Sequence, residues 1–230
     1  MAAEGPSMAV AEAGVEGAPT GGAAGGAAEA GVIFVLEKAS LEVAKVGKTY
    51  VLLNCDDHAS FLRKHGKDPA LYRPDICHQA LLAILDSPLN KAGRLKALYV
   101  ATTRNTLVQV NPHIRIPRTF RRFCGLMVQL LQKLSIRATN GPDKLLKVIK
   151  HPVTKYLPPG CRRIGLEYSA QKVVHLRQFL KTTNSETLVF VVGAMASGDI
   201  SSDYVDEMIA GELRGVGRGT IGSTQYTQGW

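Results

Sequence analysis

Four arginines fall within eight positions in His113-Ile114-Arg115-Ile116-Pro117-Arg118-Thr119-Phe120-Arg121-Arg122. The chemistry such a run offers is anion binding, because guanidinium forks match phosphate oxygens. Helical spacing of apolar residues begins at Phe120, and Thr119 stands where an N-cap belongs. Arg121 and Arg122 then occupy the first turn, where cations oppose the helix dipole and bound phosphates reverse the sign. Pairing with acidic neighbours or a partner subunit is the alternative. Arg73 and Asp75 form a second pair, with Asp75 read as the cap of the helix that follows it. Asp86, near the end of that helix, is placed to orient an arginine, touch a base or simply end the helix.

A third constellation is Val191-Val192-Gly193-Ala194-Met195-Ala196-Ser197-Gly198, directly after an apolar run that reads as a buried strand. Glycine at a strand end lets a ligand approach the backbone closely. Asp199 stands where a phosphate loop requires Lys followed by Ser or Thr, which excludes a P-loop. Gly215-Val216-Gly217 follows no strand and makes no dinucleotide fingerprint. His58, His78 and His113 have no spacing that fits a nucleophilic triad. Cys55, Cys77, Cys124 and Cys161 form no C-x-x-C pair, so four reduced thiols and no metal are expected.

Charge agrees with the arginine run. The net charge is +9, yet residues 1–30 hold four Glu and no Lys or Arg. The remaining 200 residues therefore carry 28 basic and 15 acidic side chains, or +13. A body this basic attracts polyanions through counterion release. No apolar run approaches a membrane-spanning length, and the first residues lack the pattern of a signal or transit peptide.

The elements that must position these residues alternate between strand and helix, which predicts an α/β fold with a parallel or mixed sheet. Strands are expected at 32–36, 98–101, 107–110, 163–169 and 187–192, with 98–101 and 107–110 forming a hairpin. Helices are expected at 39–46, 75–85, 120–134, 144–149 and 173–180. Residues 54–66 read as irregular with a short helical piece, and Pro88 and Gly93 as stops. Of the first 30 residues 18 are Ala or Gly, which predicts a disordered tail. Residues 211–230 include six Gly and are expected to be unstructured. The domain is thus placed at 31–210 between two tails.

Several stretches together resemble a known family. They include Lys45-Val46-Gly47-Lys48-Thr49-Tyr50, Leu52-Leu53-Asn54-Cys55-Asp56, Arg73-Pro74-Asp75-Ile76 and Asp86-Ser87-Pro88-Leu89-Asn90. Ile116-Pro117-Arg118-Thr119-Phe120, Arg122 to Leu131, Gly141-Pro142 with Lys144 to Lys150, and Phe190-Val191-Val192-Gly193-Ala194 continue the series. Over about residues 32–209 the chain resembles the eukaryotic pseudouridine N1-methyltransferases of small-subunit ribosomal RNA, a SPOUT-class family of ribosome biogenesis. The resemblance implies an α/β fold with a C-terminal trefoil knot, a homodimer, and S-adenosylmethionine as methyl donor. It further implies a small-subunit rRNA hairpin as substrate, within pre-ribosomal particles of the nucleolus in the nucleus. By the same likeness Arg73, Arg115, Arg118 and Arg122 grip RNA, Asp75 and Asp86 support the structure around them, and Leu166, Gly193 and Gly198 line the cofactor site. No residue is assigned as a general base. The family continues past the position of Ile209 with a Ser- and Pro-containing loop and an apolar helix. Gly-rich sequence stands there instead, so an incomplete knot and weak cofactor binding are expected. The rival reading is a non-catalytic RNA-binding assembly factor. A third is an enzyme whose arginines bind a phosphorylated small molecule.

Overall fold

The structure is a computed structural model, and it describes residues 31–138, 141–182, 187–200 and 203–212. The expectations for the tail at 1–30, and for 213–230 with the knot that this segment would complete, lie outside the described residues.

The core is a mixed nine-stranded sheet. Its strands are β1 (Val32–Ala39), β4 (Leu95–Thr102), β5 (Leu107–Val110), β6 (Ser135–Arg137), β7 (Lys144–Ile149), β8 (Arg162–Leu166), β9 (Val173–His175), β10 (Leu188–Gly193) and β11 (Glu207–Glu212). They lie in the order β6-β7-β5-β4-β1-β10-β8-β11-β9. β1 is parallel to both of its neighbours, β4 and β10, and β8 is parallel to β10 and β11. A strand covered on both faces reads as an unbroken apolar run, as Val32 to Leu36 does. The hairpin expected around 102–106 is present, with Leu98 opposite Val110 and Ala101 opposite Leu107.

Helix α1 (Cys55–Lys64) starts at Asn54, whose side chain accepts from the Asp57 N–H. Helices α2 (Pro74–Leu85), α3 (Pro88–Lys91), α4 (Phe120–Lys133) and α5 (Leu176–Thr182) follow. The apolar stripe of α4 buries Phe123, Leu126, Met127 and Leu130. These pack with Cys77, Leu81 and Leu85 of α2 against Leu98, Val100, Val108, Val110 and Leu146 of the sheet. On the opposite sheet face Val35, Tyr99, Leu107, Val189 and Val191 pack with Val153, Met195, Ile200, Tyr204 and Met208.

Several sequence expectations are corrected. The helix expected at 39–46 is instead the end of β1 and then β2 (Val43–Val46), paired with β3 (Thr49–Leu52). Gly47, at φ +63, opens the two-residue turn that this hairpin needs. The basic helix expected at 144–149 is β7, because six residues gain more by pairing with β5 and β6 than from one isolated helical turn. Residues 173–175 are a strand against β11, and the helix begins only at Leu176. α2 ends at Leu85, before Pro88 as expected, but Pro88 also occupies the first turn of a further helix, α3, with Ser87 Oγ accepting from the Asn90 N–H at 3.2 Å. Gly211 and Glu212, expected to be unstructured, extend β11 against β9. The irregular stretch at 54–66 is also more regular than expected, since α1 covers most of it.

Candidate RNA interface and cofactor site

The arginine segment leaves β5 at Val110, level with the amino-terminal half of β4, and crosses α2 to reach α4. Side chains of α2 and its surroundings hold it there. Buried His78 places Nε2 2.7 Å from the Pro117 carbonyl oxygen and stacks on Phe123 at 4.5 Å between centroids. Asn90 Nδ2 donates to the Leu85 and Pro112 carbonyls, each at 2.9 Å. Ile114 and Ile116 are buried, while Arg115 between them and Arg118 two residues further on are exposed. Arg118 meets Asp86 at 3.2 Å, with 80% of its side chain still accessible. An exposed pair of this kind contributes little stability, so Arg118 can exchange its carboxylate for a phosphate at small cost.

Thr119 has the extended backbone of an N-cap, but its side chain makes no capping bond, and the first turn of α4 holds no acidic residue. Arg121 and Arg122 are exposed in that turn. Arg73 belongs to a different element. It is itself the N-cap residue of α2, and Asp75, expected to be that cap, is the second residue of the helix. Pro74 fixes the first helical φ, so the helix starts there and the cap falls two residues before Asp75. The Asp75 carboxylate instead takes Arg73 Nε at 2.8 Å and Nη2 at 2.7 Å, a two-pronged pair that holds the guanidinium in one orientation.

The three residues proposed for the cofactor come together at the carboxyl ends of parallel strands. Leu166 ends β8 and is level with Val192 of β10 and Ile209 of β11, while Gly193 is level with Glu37 of β1. In open α/β sheets this edge is where ligands bind. The chain after β10 folds back over it. A Cβ at Gly193 would stand 3.0 Å from Met195 Cε, and Gly198 has φ +105, a conformation costly for any side chain.

Residues that sequence patterns did not reveal fasten this loop. Lys38 Nζ donates to the Asp199 carbonyl at 2.6 Å, and the Ile200 N–H donates to Glu167 Oε1 at 3.2 Å. Tyr204 donates its hydroxyl to Glu37 Oε1 at 2.6 Å, and burial followed by that bond raises its pKa well above the usual phenol range. Each tie spans 33 residues or more, so no local spacing could have announced it. The structure thus gathers Leu166, Gly193 and Gly198, and separately lines up Arg115, Arg118 and Arg122. The two groups lie over different parts of the sheet, since α4 packs toward β6 and β7 and the glycine loop closes over β10 and β8.

Among the described residues no cluster of His, Cys, Asp or Glu is arranged to hold a metal, and no helix is long and apolar enough to cross a membrane. All four cysteines are free thiols. Burial lifts Cys77 to about 12 and Cys124 to about 11, so neither is an active nucleophile at neutral pH.

Comparison with known proteins agrees with this architecture. The profile of a family described as EMG1/NEP1 methyltransferase matches residues 34–215. Ribosomal RNA small subunit methyltransferase NEP1 of Mus musculus is 56% identical over 179 residues, which are 78% of this chain and 72% of that protein. The nep-1 protein of Caenorhabditis elegans, with the same description, is 52% identical over 172 residues, 75% of this chain and 74% of that one. A crystal structure of Archaeoglobus fulgidus Nep1 bound to S-adenosylhomocysteine superposes with a TM-score of 0.56 at 24% identity, covering 78% of this chain and 88% of that one, and so shares the fold. With the profile matched across most of its length and relatives more than half identical, this chain belongs to the EMG1/NEP1 methyltransferase family.

Proposed function

We propose that this protein methylates N1 of a pseudouridine in a small-subunit ribosomal RNA hairpin, with S-adenosylmethionine as donor, during ribosome assembly. The observation that carries the reading is the strand-end glycine loop, tied down by Lys38, Glu37 and Glu167, on a chain that also presents an arginine run at an uncapped helix start. The names of the relatives, ribosomal RNA small subunit methyltransferases, support the reaction and the substrate class. The archaeal structure holds S-adenosylhomocysteine, the form the donor takes after giving up its methyl.

The residues present suit such a cofactor. At Gly193 a side chain would press on Met195 and fill the space above the strand ends. Leu166, Gly193 and Gly198 would hold the donor, which supplies an activated sulfonium methyl. The rest of the catalytic effect is positioning, which by itself supplies several kcal/mol in well-oriented reactions, roughly 7–11 at best. Arg73, Arg115, Arg118 and Arg122 fix the RNA backbone, and Asp75 and Asp86 set the angle of Arg73 and Arg118. A pseudouridine in a hairpin loop is unpaired and costs little to flip toward the strand ends. We infer a homodimer, because the arginine segment and the glycine loop lie over different parts of the sheet and a second copy offers one RNA both surfaces. The place of action is the nucleolus, on small-subunit precursors.

The test mixes the protein with labelled S-adenosylmethionine and a pseudouridine-containing hairpin. Methyl incorporation is expected, and a hairpin with uridine at that position should take up none. RNA binding without incorporation would instead leave a non-catalytic assembly factor, the reading that the Gly-rich sequence from Gly211 onward favours.

A further inference from the structure

A cleft of about 370 Å³ opens where the arginine segment begins, between the amino-terminal part of β4 and strands β5 and β7. Its walls include Lys96, Lys144, Lys147, His113 and the side-chain amides of Gln109 and Asn111, and no acidic residue contributes. The two large apolar residues that line it, Leu95 and Val110, are almost wholly buried, and although apolar atoms make up the larger part of the lining, every charged side chain in it is a lysine. Gln109 and Lys147 are cross-strand partners, which sets amide and ammonium side by side on one sheet face. Gly31 makes room for the stem of Lys96, whose Cγ lies only 2.3 Å from where a Cβ of residue 31 would be. Among the described residues no carboxylate pairs with Lys96, Lys144 or Lys147.

We propose that this cleft binds the sugar–phosphate backbone of single-stranded RNA flanking the methylated hairpin. The proposal rests on the reading of the protein as an RNA methyltransferase and adds a second, sequence-independent contact to it. Three ammonium groups on flexible stems act as point charges for phosphates, and amides supply donors to phosphate and ribose oxygens. No aromatic ring other than the His113 imidazole lines the cleft, which disfavours readout by base stacking. The location gives the strand a path. His113 lies in the cleft wall two residues before Arg115, a chain distance of at most about 7 Å, so RNA leaving the arginine segment meets the lysines next.

The experiment compares the hairpin alone with the same hairpin carrying ten-nucleotide single-stranded extensions, by fluorescence anisotropy over a KCl series with the full chain. Wild type is expected to bind the extended RNA about tenfold more tightly than the bare hairpin. K96Q/K144Q/K147Q should abolish that gain, leave bare-hairpin affinity unchanged, and lower the salt slope for extended RNA by about 2, since each single-strand phosphate contact contributes ~0.7. K147Q alone, at an exposed strand position, should give about a third of the change in slope and guards against misfolding of the triple variant. Equal binding of both RNAs by wild type, with the hairpin still bound, would overturn the cleft proposal alone. Failure to bind either RNA would overturn the functional reading and the cleft with it. Competition by poly-glutamate as effective as that by single-stranded RNA would assign the cleft to acidic peptides and overturn the RNA assignment.

Discussion

At the scale of single residues, charge becomes useful only when it is held in place. Arg73 and Arg118 each rest against one aspartate, Asp75 at 2.7 Å and Asp86 at 3.2 Å, and both pairs face solvent. Such pairs are worth little as stabilisers, so their value lies in orientation. Replacing Arg118 with Ala should therefore weaken hairpin binding about tenfold while leaving the thermal midpoint within a degree or two, as anisotropy and calorimetry can check. A large drop in midpoint with unchanged affinity would make Arg118 a structural residue. The arginine run was legible because its residue types are unusual at a helix start. His78, which holds the same segment through the Pro117 carbonyl, was not legible, since its partner lies 39 residues away.

Among the elements, Glu42 is the clearest junction. It follows β1 and receives Lys67 at 2.5 Å, the Tyr72 hydroxyl at 2.9 Å and Arg104 at 2.6 Å. These groups join the approach to α2 with the β4–β5 turn. Burial works against the charge of Glu42, but the bonds from Arg104, Lys67 and Tyr72 outweigh it and hold its pKa at about 2 against an ordinary 4.5. Because the folded value is the lower one, this contribution is fully present above about pH 4.5 and is lost as pH falls toward 2. Urea midpoints should decline over that window, and Glu42→Gln should lower stability at pH 7 and flatten the decline. An unchanged acid limb in the variant would show that other carboxylates govern it. Element types were read correctly where periodicity was long, as in α4, and wrongly where short apolar runs fit either period. Lys144–Ile149 and Val43–Val46 are strands because a neighbouring strand completes their backbone hydrogen bonds.

Across the whole molecule, one sheet separates two apolar layers, and α2 and α4 close the larger of them. Phe123 is fully buried in that layer and stacks on His78. Phe123→Ala should cost about 3–5 kcal/mol, the range for removing a large core side chain. Urea unfolding followed by far-UV circular dichroism would measure it, and a loss under 1 kcal/mol would mean that the helical layer repacks freely. Such a loss would also slacken the arginine segment, because His78 and Phe123 lie directly beneath it. The sequence by itself determined the α/β class, the buried β1 and β10, helix α4, the basic surface and the family. The elements rest on residue type and periodicity within one stretch of chain, the basic surface on overall composition, and the family on a resemblance carried by many stretches. Only the tertiary structure decided the rest. It converted three expected helical stretches wholly or partly into strands, moved the cap of α2 from Asp75 to Arg73, and tied the glycine loop with Lys38, Glu37 and Glu167. It also assembled a lysine cleft from β4, β5 and β7. These features depend on partners distant in sequence, and the energy of a hydrogen bond or an ion pair is fixed by distance in space and not by spacing along the chain.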